Sequence, residues 1–157
     1  MCGTECVSVS DAFLATDWFS AFSYKVETPS REYSTKKYPV HLFLHGAGER
    51  GNDNESQLIH GSNLFLKENN RKKYPSFVIF PQSPKNDWWG GHYDPYKFDY
   101  QVKNSKALKL VINLMDEFIM RSDVNKNKIY VKSIYDHYFL KELFNIYIKL
   151  LNLPTFY

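Results

Sequence analysis

A chain of 157 residues with 43% hydrophobic side chains is long enough for one domain with a core and short for two; 12 Tyr and 12 Phe exclude the composition of a disordered tail. Twenty basic against 17 acidic residues leave a formal charge of +3, scattered apart from short runs such as Arg71-Lys72-Lys73, which argues against nucleic acid as a partner. Cys2 and Cys6 have no His at metal-ligand spacing, no apolar run approaches membrane-spanning length and no signal peptide opens the chain, so we expect no disulfide framework, no metal, no membrane span and, as written, a cytoplasmic protein, with exported homologues compatible with that.

Residues 1 to 20 carry no sustained period. From Ala21 to Glu27 the apolar residues Phe22, Tyr24 and Val26 alternate with others, which predicts a short antiparallel edge strand closed by Pro29 and Ser30. The run Tyr38 to Leu44 predicts a buried strand that stops at His45-Gly46-Ala47-Gly48-Glu49-Arg50-Gly51. Three glycines in that turn allow close backbone approach, so several N–H groups can converge on one space. Glu55 to Lys67 has loose helical spacing through Leu58, Ile59, Asn63, Leu64, Phe65 and Leu66.

Ser76 to Phe80 predicts a second strand, stopped by Pro81 and followed by a proline-punctuated loop to Tyr96. Ala107, Leu108, Leu110, Val111, Leu114, Met115, Phe118 and Ile119 recur at helical spacing against Lys106, Lys109, Asn113, Asp116 and Glu117, an amphipathic helix. A turn over Asn125 to Asn127 leads to a third strand, Lys128 to Val131, and Tyr138 to Leu151 predicts a last helix ended by Pro154. The alternation of strands and helices predicts an α/β domain with a mainly parallel sheet.

Among candidate site residues, His45 and His60 read as turn and surface residues rather than ligands. Trp88 and Trp89, with Tyr93 and Tyr96, follow the second strand on the side where such sheets bind substrate. They either stack on a sugar or aromatic acyl group or cover the sheet end; both readings stay open.

Four segments in order, Lys37 to Gly51, Gln57-Leu58-Ile59-His60-Gly61, Tyr74 to Pro84 and Asn127-Lys128-Ile129-Tyr130-Val131, resemble bacterial α/β-hydrolases of the phospholipase/carboxylesterase-like or polyhydroxybutyrate-depolymerase-like esterase type. The resemblance covers residues 36 to 131, the N-terminal half of such an enzyme. It implies ester hydrolysis of a small-molecule or polymeric ester with no cofactor, on an incomplete three-layer α/β-hydrolase sandwich. It also implies an oxyanion-holding turn at Gly46 and Ala47, with the Ala47 N–H as donor, and substrate-side positions at His45, Glu49, Arg50, Trp88 and Trp89.

The resemblance breaks at the nucleophile. Where these enzymes carry G-x-S-x-G, this chain reads Ser133-Ile134-Tyr135-Asp136-His137, so Tyr135 holds the nucleophile's place and Ser133 is the second choice. An elbow needs small neighbours at minus two and plus two, and all seven glycines lie at or before Gly91. A line of hydrogen bonds through Ser133, Asp136 and His137 is not expected, because a working triad draws its members from distant segments.

The expectation is therefore one truncated α/β-hydrolase-like domain over 1–157, with a divergent C-terminal helix over 132–157, inactive as it stands. Two alternatives remain. One is a truncated or frameshifted product, testable by reading the gene in the other frames. The other is a non-catalytic binding module that keeps the substrate-side loops and covers the sheet with the C-terminal helix; against it, the strand at Lys128 to Val131 would lose its usual neighbour, with self-association through the exposed sheet edge as the hazard.

Overall fold

The computed structural model describes residues 36–89 and 105–134 in full, and the backbone of the short strands at 23–27, 92–94 and 99–101. In chain order the elements are β1 (Ser23–Glu27), β2 (Tyr38–Leu44), 3-10 turns at Ala47–Glu49 and Ser56–Leu58, α1 (Ser62–Leu66), α2 (Glu68–Lys73), β3 (Phe77–Gln82), β4 (His92–Asp94), β5 (Asp99–Gln101), α3 (Lys106–Ile119) and β6 (Val124–Ser133). Tyr138 to Leu151, Tyr135 to His137, Tyr96 and the two cysteines lie outside the described residues.

The main sheet runs β1-β3-β2-β6. β2 is parallel to β3 and to β6, while β1 lies antiparallel along β3 at the edge. β4 and β5 form a separate antiparallel pair. The fold class is thus α/β with a mainly parallel, open sheet.

Alternation along β2 and β3 builds two cores, because successive side chains leave opposite faces. Tyr38, Val40, Leu42, Leu44, Phe77 and Ile79 face one side and pack with Ala107, Leu108, Val111, Met115, Phe118 and Ile119 of α3. Phe43, Val78 and Phe80 face the other, under Leu58, Phe65 and Leu66. Both faces of β2 and β3 are covered, which is why these strands read as near-continuous apolar runs.

α3 begins where its orphan amides find acceptors. The Ser105 hydroxyl accepts the Leu108 N–H at 3.0 Å, and Asp87 Oδ2 accepts the Ala107 N–H at 2.7 Å. The second bond fastens the loop after β3 to the helix.

Three expectations change. The helix expected over Glu55 to Lys67 is broken into a 3-10 turn and α1, because Gly61 between them sits at φ 85° with the Phe43 ring filling the space beside it. Ile59 and Leu64 consequently point outward, each 64% exposed.

Pro81 does not stop β3, which continues to Gln82. The register with β2 ends at Ile79, so the donor that Pro81 lacks is not needed on that side, and β1 pairs with it across the other.

The turn expected at Asn125 to Asn127 lies inside β6, where the register with β2 slips between Tyr38 and Val40. Pro39 stands at that slip without an N–H to give, and the Asn127 N–H turns to Asn125 Oδ1 at 3.1 Å. The turn chemistry is present, and the strand bulges around it.

Candidate active-site turn

β2 delivers the chain to the C-terminal edge of the parallel strands at Leu44, and the turn from His45 onward is locked there by its own side chains. His45 is 1% exposed, a buried residue of the turn. Its Nε2 accepts the Ser83 backbone N–H at 2.9 Å, so the ring proton must sit on Nδ1, which donates to the Gly46 carbonyl at 2.6 Å. Trp89 lies edge-on to the ring, and its Nε1 donates to the His45 carbonyl at 3.1 Å.

Burial holds the His45 pKa below the ordinary histidine value and outweighs the Gly46 bond and the Glu49 carboxylate, which raise it. The neutral ring that the hydrogen bonds require is therefore also the ring that burial favours.

The direction of the Ala47 N–H follows from this. In a trans peptide the N–H points opposite to the carbonyl of the same unit. His45 pulls the Gly46 carbonyl toward itself, so the Ala47 N–H of that peptide faces away from the imidazole. Ala47 opens the 3-10 turn that closes when the Glu49 N–H meets the Gly46 carbonyl at 3.4 Å, and a first-turn N–H has no partner within its own helix.

A buried amide ties the next residues down. Gln82, 0% exposed at the end of β3, donates through Nε2 to the Glu49 carbonyl at 3.1 Å and to Asp53 Oδ1 at 2.9 Å, and its Oε1 accepts the Asn54 N–H at 2.8 Å. Asp53 also caps the following turn, accepting from the Ser56 hydroxyl and from the backbone N–H groups of Ser56 and Glu55. These donors, with the Ser56 hydroxyl foremost, keep its carboxyl far below the usual range. The Gly51 N–H donates to the Ser83 carbonyl at 2.9 Å, and Gln82 Nε2 lies only 3.0 Å from where a Cβ on Gly51 would stand.

The other expected residues fall around this turn. Arg50 lies over the Trp88 ring, 3.5 Å from its centroid. Trp88 is half-exposed, whereas Trp89 is buried against His45 and belongs to the core. Glu49 is buried, and His60 Nε2 approaches its carboxylate at 3.4 Å from an exposed position. The Tyr93 side chain is outside the described residues.

No protein-family model matches the chain, and no curated protein matches it. A solved structure does, that of a thermostable esterase, at 30% identity over 71% of this chain with a TM-score of 0.60. The open parallel sheet matches a fragment of an α/β-hydrolase-like fold. The chain spans 30% of the length of that esterase.

In this α/β-hydrolase-like sheet the strand ends that carry Leu44 and Ser133 are neighbours. Ser133 is paired with Leu44 in the β2–β6 register, and the Ile134 N–H donates to the Leu44 carbonyl at 3.3 Å. Ser133 is thus the last residue of a regular strand, one position across from the start of the His45 turn. No group of three His, Cys, Asp or Glu able to hold a metal occurs among the described residues.

Nothing in the local sequence singles out Gln82, Ser83 and Asp53, which organise the turn, or Asp87, which ties the loop after β3 to α3. Their only sequence signal was that Gln82 and Ser83 belong to one of the four resembling segments. A buried glutamine is recognisable as an organiser only once the loop it holds is known.

Proposed function

We propose that the chain carries the oxyanion-holding part of a carboxylic-ester hydrolase of the carboxylesterase, phospholipase or depolymerase type. The Ala47 N–H is the donor, and small or polymeric esters are the substrate class. One observation supports this above the others: His45 fixes the Gly46–Ala47 peptide at the strand end beside Ser133. A preorganised donor of this kind contributes about 2.7–4 kcal/mol to acyl transfer, because charge develops on the carbonyl oxygen only as the ester is attacked.

These residues do not by themselves turn esters over. Tyr135 stands in the nucleophile's place, a phenol needs a base to act as a nucleophile, and Ser133 and His137 replace the small flanking residues an elbow requires. The experiment is hydrolysis of p-nitrophenyl butyrate by the purified chain, with fluorophosphonate labelling alongside. Background turnover and no label are expected. Turnover abolished by Ser133→Ala or Tyr135→Phe would overturn the claim of inactivity.

A second reading is favoured by β6, which has no neighbour on its outer side among the described residues. We propose it as a non-catalytic binding module whose outer strand pairs with a second copy of the chain. Sedimentation tests this: a monomer at every concentration removes the pairing.

A further inference from the structure

We propose that Arg50 is a positioning residue of the turn, a clamp that holds the Ala47 backbone against the loop after β3, and that it is not a contact for substrate. This rests on the oxyanion reading of Ala47.

Three contacts carry the inference. Arg50 Nε donates to the Ala47 carbonyl at 2.9 Å, Nη1 donates to the Lys85 carbonyl at 2.8 Å, and the guanidinium lies 3.5 Å from the centre of the Trp88 ring. The first bond reaches back three residues along the turn and the second spans 35, so one rigid plane bridges two loops that leave the sheet from different strands.

His45 holds the peptide before Ala47, through the Gly46 carbonyl, and Arg50 holds the peptide after it, through the Ala47 carbonyl. With both flanking peptide planes held, the Ala47 N–H keeps its direction without help from a ligand. That is the preorganisation an anion donor needs.

The geometry also says why arginine is used. Two donors at a fixed separation in one plane, with a flat face for the indole, are properties of a guanidinium. An ammonium carries its three N–H donors on one atom, with no fixed fork to span two carbonyls and no face to stack. Both carbonyls are neutral, so charge alone does not explain the contact. Arg50→Lys should therefore fail to restore what Arg50→Gln loses.

The test is nuclear magnetic resonance of backbone amides in the full chain, with acetate as the carboxylate probe. Acetate is expected to shift the Ala47 amide in the parent protein. Arg50→Lys and Arg50→Gln should both weaken that response by about tenfold, the order of one lost charged hydrogen bond. Both should also speed exchange of the Gly51 amide, whose bond to the Ser83 carbonyl joins the same two loops, while the Leu42 and Ile79 amides exchange as before.

An unchanged acetate response in both variants, or full rescue by lysine, overturns the inference. If the parent shows no acetate response at Ala47, the oxyanion reading fails instead, and the clamp is judged on Gly51 exchange, where rates equal to the parent's in both variants overturn it. Should Arg50→Gln unfold, Trp88→Leu removes only the stacked face. It must then speed Gly51 exchange by a smaller factor, and no change would count against the clamp.

Discussion

His45 and Ser83 are 38 positions apart and meet through one bond, the Ser83 backbone N–H donated to His45 Nε2 at 2.9 Å in a buried environment. That bond sets the imidazole tautomer, and the tautomer sets the Gly46–Ala47 peptide. Replacing His45 with Phe keeps the ring against Trp89 but leaves the Ser83 N–H and one lone pair of the Gly46 carbonyl unpartnered. A loss of about 2–3 kcal/mol is expected. Urea unfolding checks it; a loss below about 0.5 kcal/mol would mean water or another group takes over both atoms.

Burial of the same ring makes stability depend on pH in a stated direction. His45 is held below the ordinary histidine value chiefly by burial, and His41 is lowered by burial first and Lys132 second. His41 also stacks on Tyr130, and its Nδ1 has no hydrogen-bond partner among the described residues. Above ~6.5 both states carry neutral rings; below it the unfolded chain binds protons first, so stability falls until the folded rings titrate. The melting temperature should be flat from about pH 8 to 7 and fall below about 6.5. The fall should be shallower in His45→Phe and in His41→Phe; an equally steep fall in both would rule these imidazoles out as its source.

Asp53 acts at lower pH with the opposite charge logic. Its carboxyl is held far below the ordinary value by the Ser56 hydroxyl, then by the Ser56 and Glu55 N–H groups and by Gln82. The stabilisation is present above ~3.9 and disappears as pH falls toward the folded value. Asp53→Asn should melt below the parent at neutral pH, and the gap should narrow as the solution is acidified below about pH 4. A gap independent of pH would place the effect in packing.

Gln82 is where the loops are most sensitive to a change of shape-matched chemistry. Gln82→Leu leaves the Asn54 N–H and the Glu49 carbonyl without their partner and is expected to destabilise by about 2–3 kcal/mol. Gln82→Glu should be worse at neutral pH, because it removes the donor to Glu49 and sets a carboxylate against Asp53. The order of the two midpoints in urea, and its reversal on acidification, is the readout.

Gly61 is required for two separate reasons. Its φ of 85° strains any L side chain, and a Cβ there would lie 2.2 Å from Phe43 Cζ. Gly61→Ala is expected to lose about 2–4 kcal/mol, from the backbone conformation and the overpacking together. Phe43→Leu in the same chain should return the packing part and leave about 1 kcal/mol of backbone strain. Strict additivity of the two substitutions would show that the ring is not the obstacle.

Much of the layering was legible in the residues. The apolar runs of Tyr38 to Leu44 and Phe77 to Phe80 mark strands buried on both faces, and the helical spacing of Ala107 to Ile119 marks a helix buried on one; each pattern depends only on which faces are apolar. The breaks were harder to read. Pro81 looks like a stop until β1 is known to flank it, and the Gly61 interruption depends on a ring from a strand distant in sequence.

The turn divides in the same way. Its glycines, its place after a buried strand and its likeness to an esterase turn are local, and the sequence alone determined them. The His45 tautomer, the Gln82 knot, the burial of Trp89 and the grip of Arg50 are pairings between the loop after β2 and the loop after β3. Only the tertiary structure decided these, because a hydrogen bond takes its energy and direction from the atom it meets, and chain order does not say which atoms will meet.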